Sequence, residues 1–266
     1  MSRLRLPKVA KKSPAEVELM RQSGAILART LTKLGEAVRP GVNTAELDEL
    51  AEAEIRGAGA IPSFKKYNGY PAALCVEVED VIVHGIPRAT DILREGTLAG
   101  FDLGCIYQGW HSDAAFTVAV GEVDELRQRL LRVTAECLAR GIAAARPGAR
   151  LAEVCQAIQD HAEAEGFGVV RSLVGHGIGR RMHEPPQIPN FVDRGGFAEY
   201  DLVLRPGMTL AIEPMITAGT YEVRVDSDGW TARTADGLPA AHFEHTVAVT
   251  KDGASILTPY QLPALS

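Results

Sequence analysis

Four cysteines are spread through the 266 residues, and no two of them form a CxxC pair. The spacing of Cys75, Cys105, Cys137 and Cys155 excludes a zinc knuckle and a disulfide frame, and reads as reduced thiols of a cytoplasmic protein. No stretch of about 18 apolar residues occurs, so no membrane-spanning helix is expected. No apolar core follows the basic start, which argues against a secretory signal. A surplus of positive charge is also missing. The formal net charge is −6, and nucleic-acid binding needs concentrated Lys and Arg. The phosphate-cradling GxxxxGKS/T loop is absent. So is the HExxH zinc motif, because His183-Glu184 is followed by Pro185-Pro186-Gln187.

What remains is the composition of an ordinary soluble protein, 46% hydrophobic and 23% charged, long enough for one large domain or two small ones. The one basic run is N-terminal: Arg3, Arg5, Lys8, Lys11 and Lys12 precede the first acid, Glu16. Residues 1–12 read as a solvated, flexible tail, with a weak electrostatic arm toward an anionic surface as the second reading. Residues 13–266 read as a single domain.

Ser13-Pro14-Ala15-Glu16 is a strong helix start, with a capping serine, a proline at the first helical position and a glutamate to reach back. The helix should run to about Val38, where Pro40-Gly41 stops it. A second helix should follow from Asn43 or Thr44 to about Arg56. The same order recurs 107 residues later: Arg39-Pro40-Gly41 corresponds to Arg146-Pro147-Gly148, Ala45-Glu46 to Ala152-Glu153, and Gly59 to Gly166. This predicts an internal duplication. Strands are expected after each helix pair, at 73–83, 97–107 and 110–120, then at 169–174, 209–212 and 243–249. Two αα-plus-strands halves predict an α+β fold, an antiparallel-rich sheet with four helices on one face. Function would lie on the other face.

The segment Val174–Pro186, VGHGIGRRMHEPP, holds His176 and His183 seven residues apart among three glycines. Imidazoles are the commonest metal ligands and can also steer protons. A glycine-rich loop with incidental histidines is the plainer reading. Carboxylates decide between them. Asp102 and Asp113 flank a turn at Gln108-Gly109. A symmetric hairpin puts Gly104 opposite Asp113 and makes Asp102 and Asp113 diagonal neighbours on one face. Glu213 ends the apolar run 209–212, and Glu244 lies in the apolar stretch 242–249, where His242, Glu244 and Thr246 share a face. Buried ionised acids need compensation. Two divalent cations would cancel four acids, and five O/N ligands without thiolate suit a two-metal hydrolytic site of the Mn, Fe, Co or Zn kind.

These residues resemble the type I methionine aminopeptidases, whose fold is nicknamed pita-bread. The resemblance runs from Ser13 to about Pro259. It is carried by YNGYPAALC at 67–75, VIVHGIP at 81–87, the Asp102/Asp113 spacing, GHGIGRRMHEPP at 175–186, AIEPM at 211–215, GWTARTADG at 229–237 and FEHTVAVT at 243–250. It implies that Asp102, Asp113, His176, Glu213 and Glu244 are the five ligands of a dinuclear centre on the face away from the helices. It further implies that Glu213 shuttles the proton from a metal-bridging water or hydroxide to the leaving amine. Of His84 and His183, one would contact the scissile amide and the other the carbonyl oxygen or tetrahedral intermediate. Tyr67, Tyr70, Cys75 and Trp230 would line the methionine pocket, and a thioether suits such a slot. Some positions depart from the family pattern. Phe64 stands where cysteine is common and Met182 where an aromatic is common. Gly100 and Glu79 each replace a usual asparagine, and Glu79 puts in doubt a nearby structural cation site. Pro185 after Glu184 is also unusual.

The expectation is a metal-dependent aminopeptidase that removes the initiator methionine when the second residue is small. A proline-specific peptidase of the same fold is the alternative, and a metal-free binding scaffold the third reading. The metal is Co, Mn, Fe or Zn, with the choice open. The peptide or nascent-chain N-terminus is the expected partner, together with a weak ribosome contact through the basic tail. Monomer is the default.

Overall fold

A computed structural model describes residues 9–192 and 201–262. Among the described residues there are four α-helices and a set of antiparallel strands, most of them short. Ser13 caps α1 (Pro14–Ala37) as its sequence demands: its backbone N–H donates to the Glu16 carboxylate at 2.8 Å, and its hydroxyl accepts from the Glu16 N–H at 3.3 Å. Asn43 caps α2 (Thr44–Gly57), and Asp124 caps α3 (Glu125–Ala144). At α4 (Leu151–Ala164) the preceding Arg150 has no capping oxygen. Asp201 supplies one instead, accepting from the Ala152 N–H at 3.1 Å.

The two helix pairs repeat each other in their backbone bonds. Gly41 and Gly148, 107 residues apart, both take left-handed φ values, +92° and +88°, as do Gly59 and Gly166. The Gly41 N–H donates to Leu93 O and the Thr44 N–H to Asp91 O. The Gly148 N–H donates to Leu204 O and the Leu151 N–H to Leu202 O. The partner segments are offset by 111 residues, and the same offset relates Asp102 to Glu213. The duplication therefore reaches into the candidate site.

The hairpin of strands Thr97–Tyr107 and Trp110–Val120 is the centre of the first half. Gln108 and Gly109 turn it with φ of 50° and 76°, both left-handed, as a two-residue hairpin turn requires. Its register pairs Tyr107 with Trp110 and Gly104 with Asp113, as strand parity required. α1 packs on this hairpin, and α3 packs on the hairpin and on strands Thr209–Ile212, Met215–Thr217 and Ala240–His242. The apolar core, including Phe101, Phe116, Leu138 and Leu210, fills the space between helices and strands.

Several expected strands are shorter than the sequence suggests. The run 73–83 is two strands, Cys75–Val78 and Val81–Val83, broken where Glu79 takes φ +55°. The run 169–174 is reduced to Gly168–Val169, with a separate strand Gly175–Gly177. The run 243–249 is interrupted at Phe243-Glu244, between Ala240–His242 and His245–Thr250. The reason is tertiary: the Glu244 N–H and C=O bond to Ala115 of the hairpin instead. The single expected sheet is accordingly divided among four, all antiparallel. Residues 1–8 of the basic tail lie outside the described residues. Lys12, the last residue of that tail, is buried and ion-paired to Glu184 at 2.8 Å.

Candidate functional site

All eleven residues singled out from the sequence line one cavity of about 330 Å³, on the opposite side of the hairpin from α1. Asp102 and Asp113 come from the two strands of the hairpin, Glu244 from the interruption that bonds to Ala115, Glu213 from the end of strand Thr209–Ile212, and His176 from strand Gly175–Gly177. Ligand atoms of Asp113, His176 and Glu244 lie within 4.8 Å of one another. His176 Nε2 is 3.5 Å from Glu213 Oε1 and 3.9 Å from Asp113 Oδ2. Asp102 lies on the far side of this group, where it also approaches Glu77 and His242.

Backbone bonds hold these side chains. The Asp113 N–H donates to the Thr246 hydroxyl at 2.9 Å, and that hydroxyl donates to Asp113 O at 2.7 Å. Thr246 thus ties the hairpin to the strand after Glu244. Asn190 donates its side-chain N–H to Glu213 O at 2.9 Å. His176 Nδ1 is 3.0 Å from Gly177 O. A carbonyl only accepts, so Nδ1 carries the hydrogen and Nε2 presents its lone pair to the carboxylates. The two glycines that flank His176 serve strand packing. A Cβ at Gly175 would lie 2.5 Å from Ala211 O, and one at Gly177 would collide with Pro185 O. Opposite Asp113, a Cβ at Gly104 would come within 3.2 Å of its carboxylate, so the glycine keeps that space open.

The electrostatics fit a cation site. Burial and mutual repulsion push Asp102, Glu213 and Glu244 well above the usual carboxylate range, and burial raises Asp113 to about 7. Burial lowers His176 to about 3, which keeps its imidazole neutral. Asp102 Oδ1, Asp113 Oδ1 and Glu244 Oε1 are buried without a hydrogen-bond partner among the described residues. Orphaned carboxylate oxygens facing a neutral imidazole are what divalent cations satisfy.

The rest of the cavity is apolar and aromatic. Tyr70 packs edge-on to Trp230, with centroids 5.2 Å apart, and its hydroxyl donates to Gly85 O at 2.9 Å. Cys75 pairs directly with Asp102 in the strand register, and burial pushes its thiol up. The buried Phe64 and Met182 line the same cavity. His84 sits at φ +60°, a strained conformation for a histidine, and burial lowers it to about 4. His183 is hydrogen-bonded through Nδ1 to the Tyr67 hydroxyl at 2.7 Å, and its ring lies 4.3 Å from that of His176.

Sequence reasoning gave no role at the site to Glu77, Thr246, Asn190 or Lys12. Their roles depend on contacts between segments far apart in the chain. Glu77 had one visible signal, the glycine at position 100 that the strand pairing sets opposite it.

Comparison with known proteins places these features in one lineage. The model of metallopeptidase family M24 matches residues 18–251. A Bacillus subtilis (strain 168) protein named methionine aminopeptidase 1 is 45% identical over 247 residues, 93% of this chain and 98% of its own length. The crystal structure of a Thermotoga maritima methionine aminopeptidase superposes with a TM-score of 0.91 at 43% identity, covering 94% of this chain and 99% of that one. The prolidase of Pyrococcus furiosus shares the fold at 23% identity, with a TM-score of 0.74 over 94% of this chain and 66% of its own.

Proposed function

The chain belongs to metallopeptidase family M24, and on that premise we propose that it removes N-terminal methionine from peptides and nascent chains whose second residue is small. The observation that carries this reading is one cavity. Its polar wall holds Asp102, Asp113, His176, Glu213 and Glu244, and its apolar wall holds Tyr70, Cys75 and Trp230. The five polar side chains fit two divalent ions, drawn from Co, Mn, Fe and Zn. Such ions, when bound, lower the pKa of water and polarise a carbonyl.

The chain's own residues supply the rest. The methionine side chain enters beside the packed pair Tyr70 and Trp230, where a thioether contacts aromatic rings favourably. Phe64 and Met182 close the same wall further. His183 presents Nε2, its only ring nitrogen free of Tyr67, toward the substrate carbonyl. His84 stands over the scissile amide. Glu213, with 14% of its side chain exposed, is open enough to take a proton at its carboxylate and pass it to the leaving amine.

Cleavage of Xaa-Pro substrates is the second reading, supported by the fold shared with the prolidase. The methionine reading draws on relatives of 43–45% identity over nearly their whole length. Competition decides between them. Equimolar Met-Ala-Ser and Ala-Pro-Ser peptides should lose methionine first, and preferential cleavage before proline would reverse the assignment. We assign the protein to the cytoplasm as a monomer with a weak ribosome contact. Lys12 is occupied by Glu184, so that contact falls to the basic residues before it. Unchanged co-sedimentation after deleting residues 1–11 would remove it.

A further inference from the structure

Behind Asp102, on the side away from His176, two more polar side chains are buried. Glu77 is 3% exposed and His242 is 1% exposed. Glu77 stands two residues along its strand from Cys75, directly opposite Gly100, while Cys75 stands opposite Asp102. Strand parity therefore puts Glu77 and Asp102 on neighbouring sites of one face. His242 is laid over the same face by Thr117, whose hydroxyl donates to His242 O at 2.9 Å and accepts from the His242 N–H at 3.0 Å. His242 Nδ1 then comes within 3.1 Å of Glu77 Oε1.

That contact satisfies only half of the pair. Among the described residues, Glu77 Oε2 and His242 Nε2 are buried with no partner. The orphaned Asp102 Oδ1 has an explanation in the main centre, but these two atoms have none there. One ligand atom from each of Glu77, Asp102 and His242 lies within 4.8 Å of the others, a spacing that one ion at ordinary ligand distances can bridge. The backbone has been cleared to allow this. A Cβ at Gly100 would collide with the Glu77 carboxylate and come within 2.9 Å of its Cβ, so any side chain there would displace Glu77.

Charge points the same way. Two divalent ions in the main centre offset Asp102, Asp113, Glu213 and Glu244. Glu77 is a fifth carboxylate, and a neutral imidazole offsets nothing. A buried carboxylate left without a cation is costly.

We propose that Glu77, His242 and Asp102 form a third divalent-cation site, which shares Asp102 with the dinuclear centre. The nitrogen donor and two carboxylates select Mn, Fe, Co or Zn over Ca or Mg, which favour all-oxygen shells. An ion there grips Asp102 from behind and fixes its orientation toward the main centre, as outer partners fix metal ligands elsewhere. The inference rests on the dinuclear reading of the main centre, and its test separates the two.

The test is anomalous diffraction from crystals of the full chain grown with saturating Mn²⁺, with metal content per chain measured on the same protein. We expect a third anomalous peak between Glu77, His242 and Asp102, in addition to those beside Asp113, His176 and Glu213. Glu77→Gln and His242→Gln should each remove that peak alone and weaken binding of the third ion on the order of 10- to 100-fold. Peaks only in the main centre, with a water or nothing beside Glu77, would overturn the third site and leave the dinuclear reading intact. No peaks anywhere would overturn both. If either variant fails to fold, the wild-type map decides alone.

Discussion

The Tyr67 hydroxyl lies 2.7 Å from Nδ1 of His183, with the two rings tilted and 5.4 Å apart. Tyr67 comes from a short 3-10 turn at Tyr67–Gly69, and His183 from the segment before strand Glu184–Ile188, 116 residues later. The contact fixes which imidazole nitrogen faces the cavity. Tyr67→Phe keeps the ring and removes the bond. A hydrogen bond of this kind contributes about 1 kcal/mol, so kcat should fall roughly fivefold with thermal stability nearly unchanged. Steady-state kinetics on a Met-Ala-Ser peptide check this. An effect confined to KM would move Tyr67 from positioning His183 to binding substrate.

Removal of metal should make stability depend on pH in a defined window. The folded, metal-free protein holds protons on Asp113 up to about pH 7, and on Asp102, Glu213 and Glu244 beyond the usual carboxylate range. Their folded pKa values are raised, so their contribution is complete below the unfolded values and is lost as pH rises through the folded ones. The histidines oppose this. His176 is lowered to about 3 when folded, so it loses stability as pH falls below about 6.5. Above about pH 6.5 the histidines no longer contribute and the carboxylates act alone. Thermal melts of metal-free protein should therefore fall as pH rises above about 6.5, while metal-loaded protein should stay level. Parallel slopes would contradict shared carboxylate protonation.

Lys12 and Glu184 form an ion pair with side chains only 5% and 9% exposed. Glu184 also accepts from the Arg181 N–H at 3.1 Å, and it directly follows His183. Lys12→Met leaves that carboxylate buried without its cation. The expected loss is about 3 kcal/mol of stability, read from urea unfolding. A loss below roughly 1 kcal/mol would show the pair to be solvated in solution.

Gly100→Ala should destabilise the protein by about 1–3 kcal/mol, because the added methyl collides with Glu77. Glu77→Ala in the same chain should relieve most of that cost, giving strong non-additivity in a double-mutant cycle. Additive losses would mean that Gly100 answers to Thr117 or the backbone rather than to Glu77.

The parts of this site set by local rules were legible in the sequence. Gln108-Gly109 forced a two-residue turn, and the turn alone fixed Gly104 opposite Asp113. The repeated Arg-Pro-Gly junctions announced the duplication that later related Asp102 to Glu213. Glu244 was harder. Its strand was expected to run unbroken, but pairing with Ala115 across the fold interrupts it. Glu77 and His242 were invisible as a pair, because 165 residues separate them and contacts across the fold, such as the Thr117 hydroxyl bonds to His242, bring them together. Gly100 could be noted as unusual, yet its reason lay on the neighbouring strand.

The most direct test of the central claim is release of free methionine from a Met-Gly-Met-Met peptide by metal-free protein titrated with Mn²⁺, Co²⁺, Fe²⁺ or Zn²⁺. We expect loss of a single N-terminal methionine with at least one of these ions. Asp113→Asn should stay folded and lose metal affinity and turnover together, since it removes one charge and one ligand from the centre. An intact peptide under every metal, or full turnover by Asp113→Asn, would contradict the assignment of this cavity as a dinuclear methionine aminopeptidase centre.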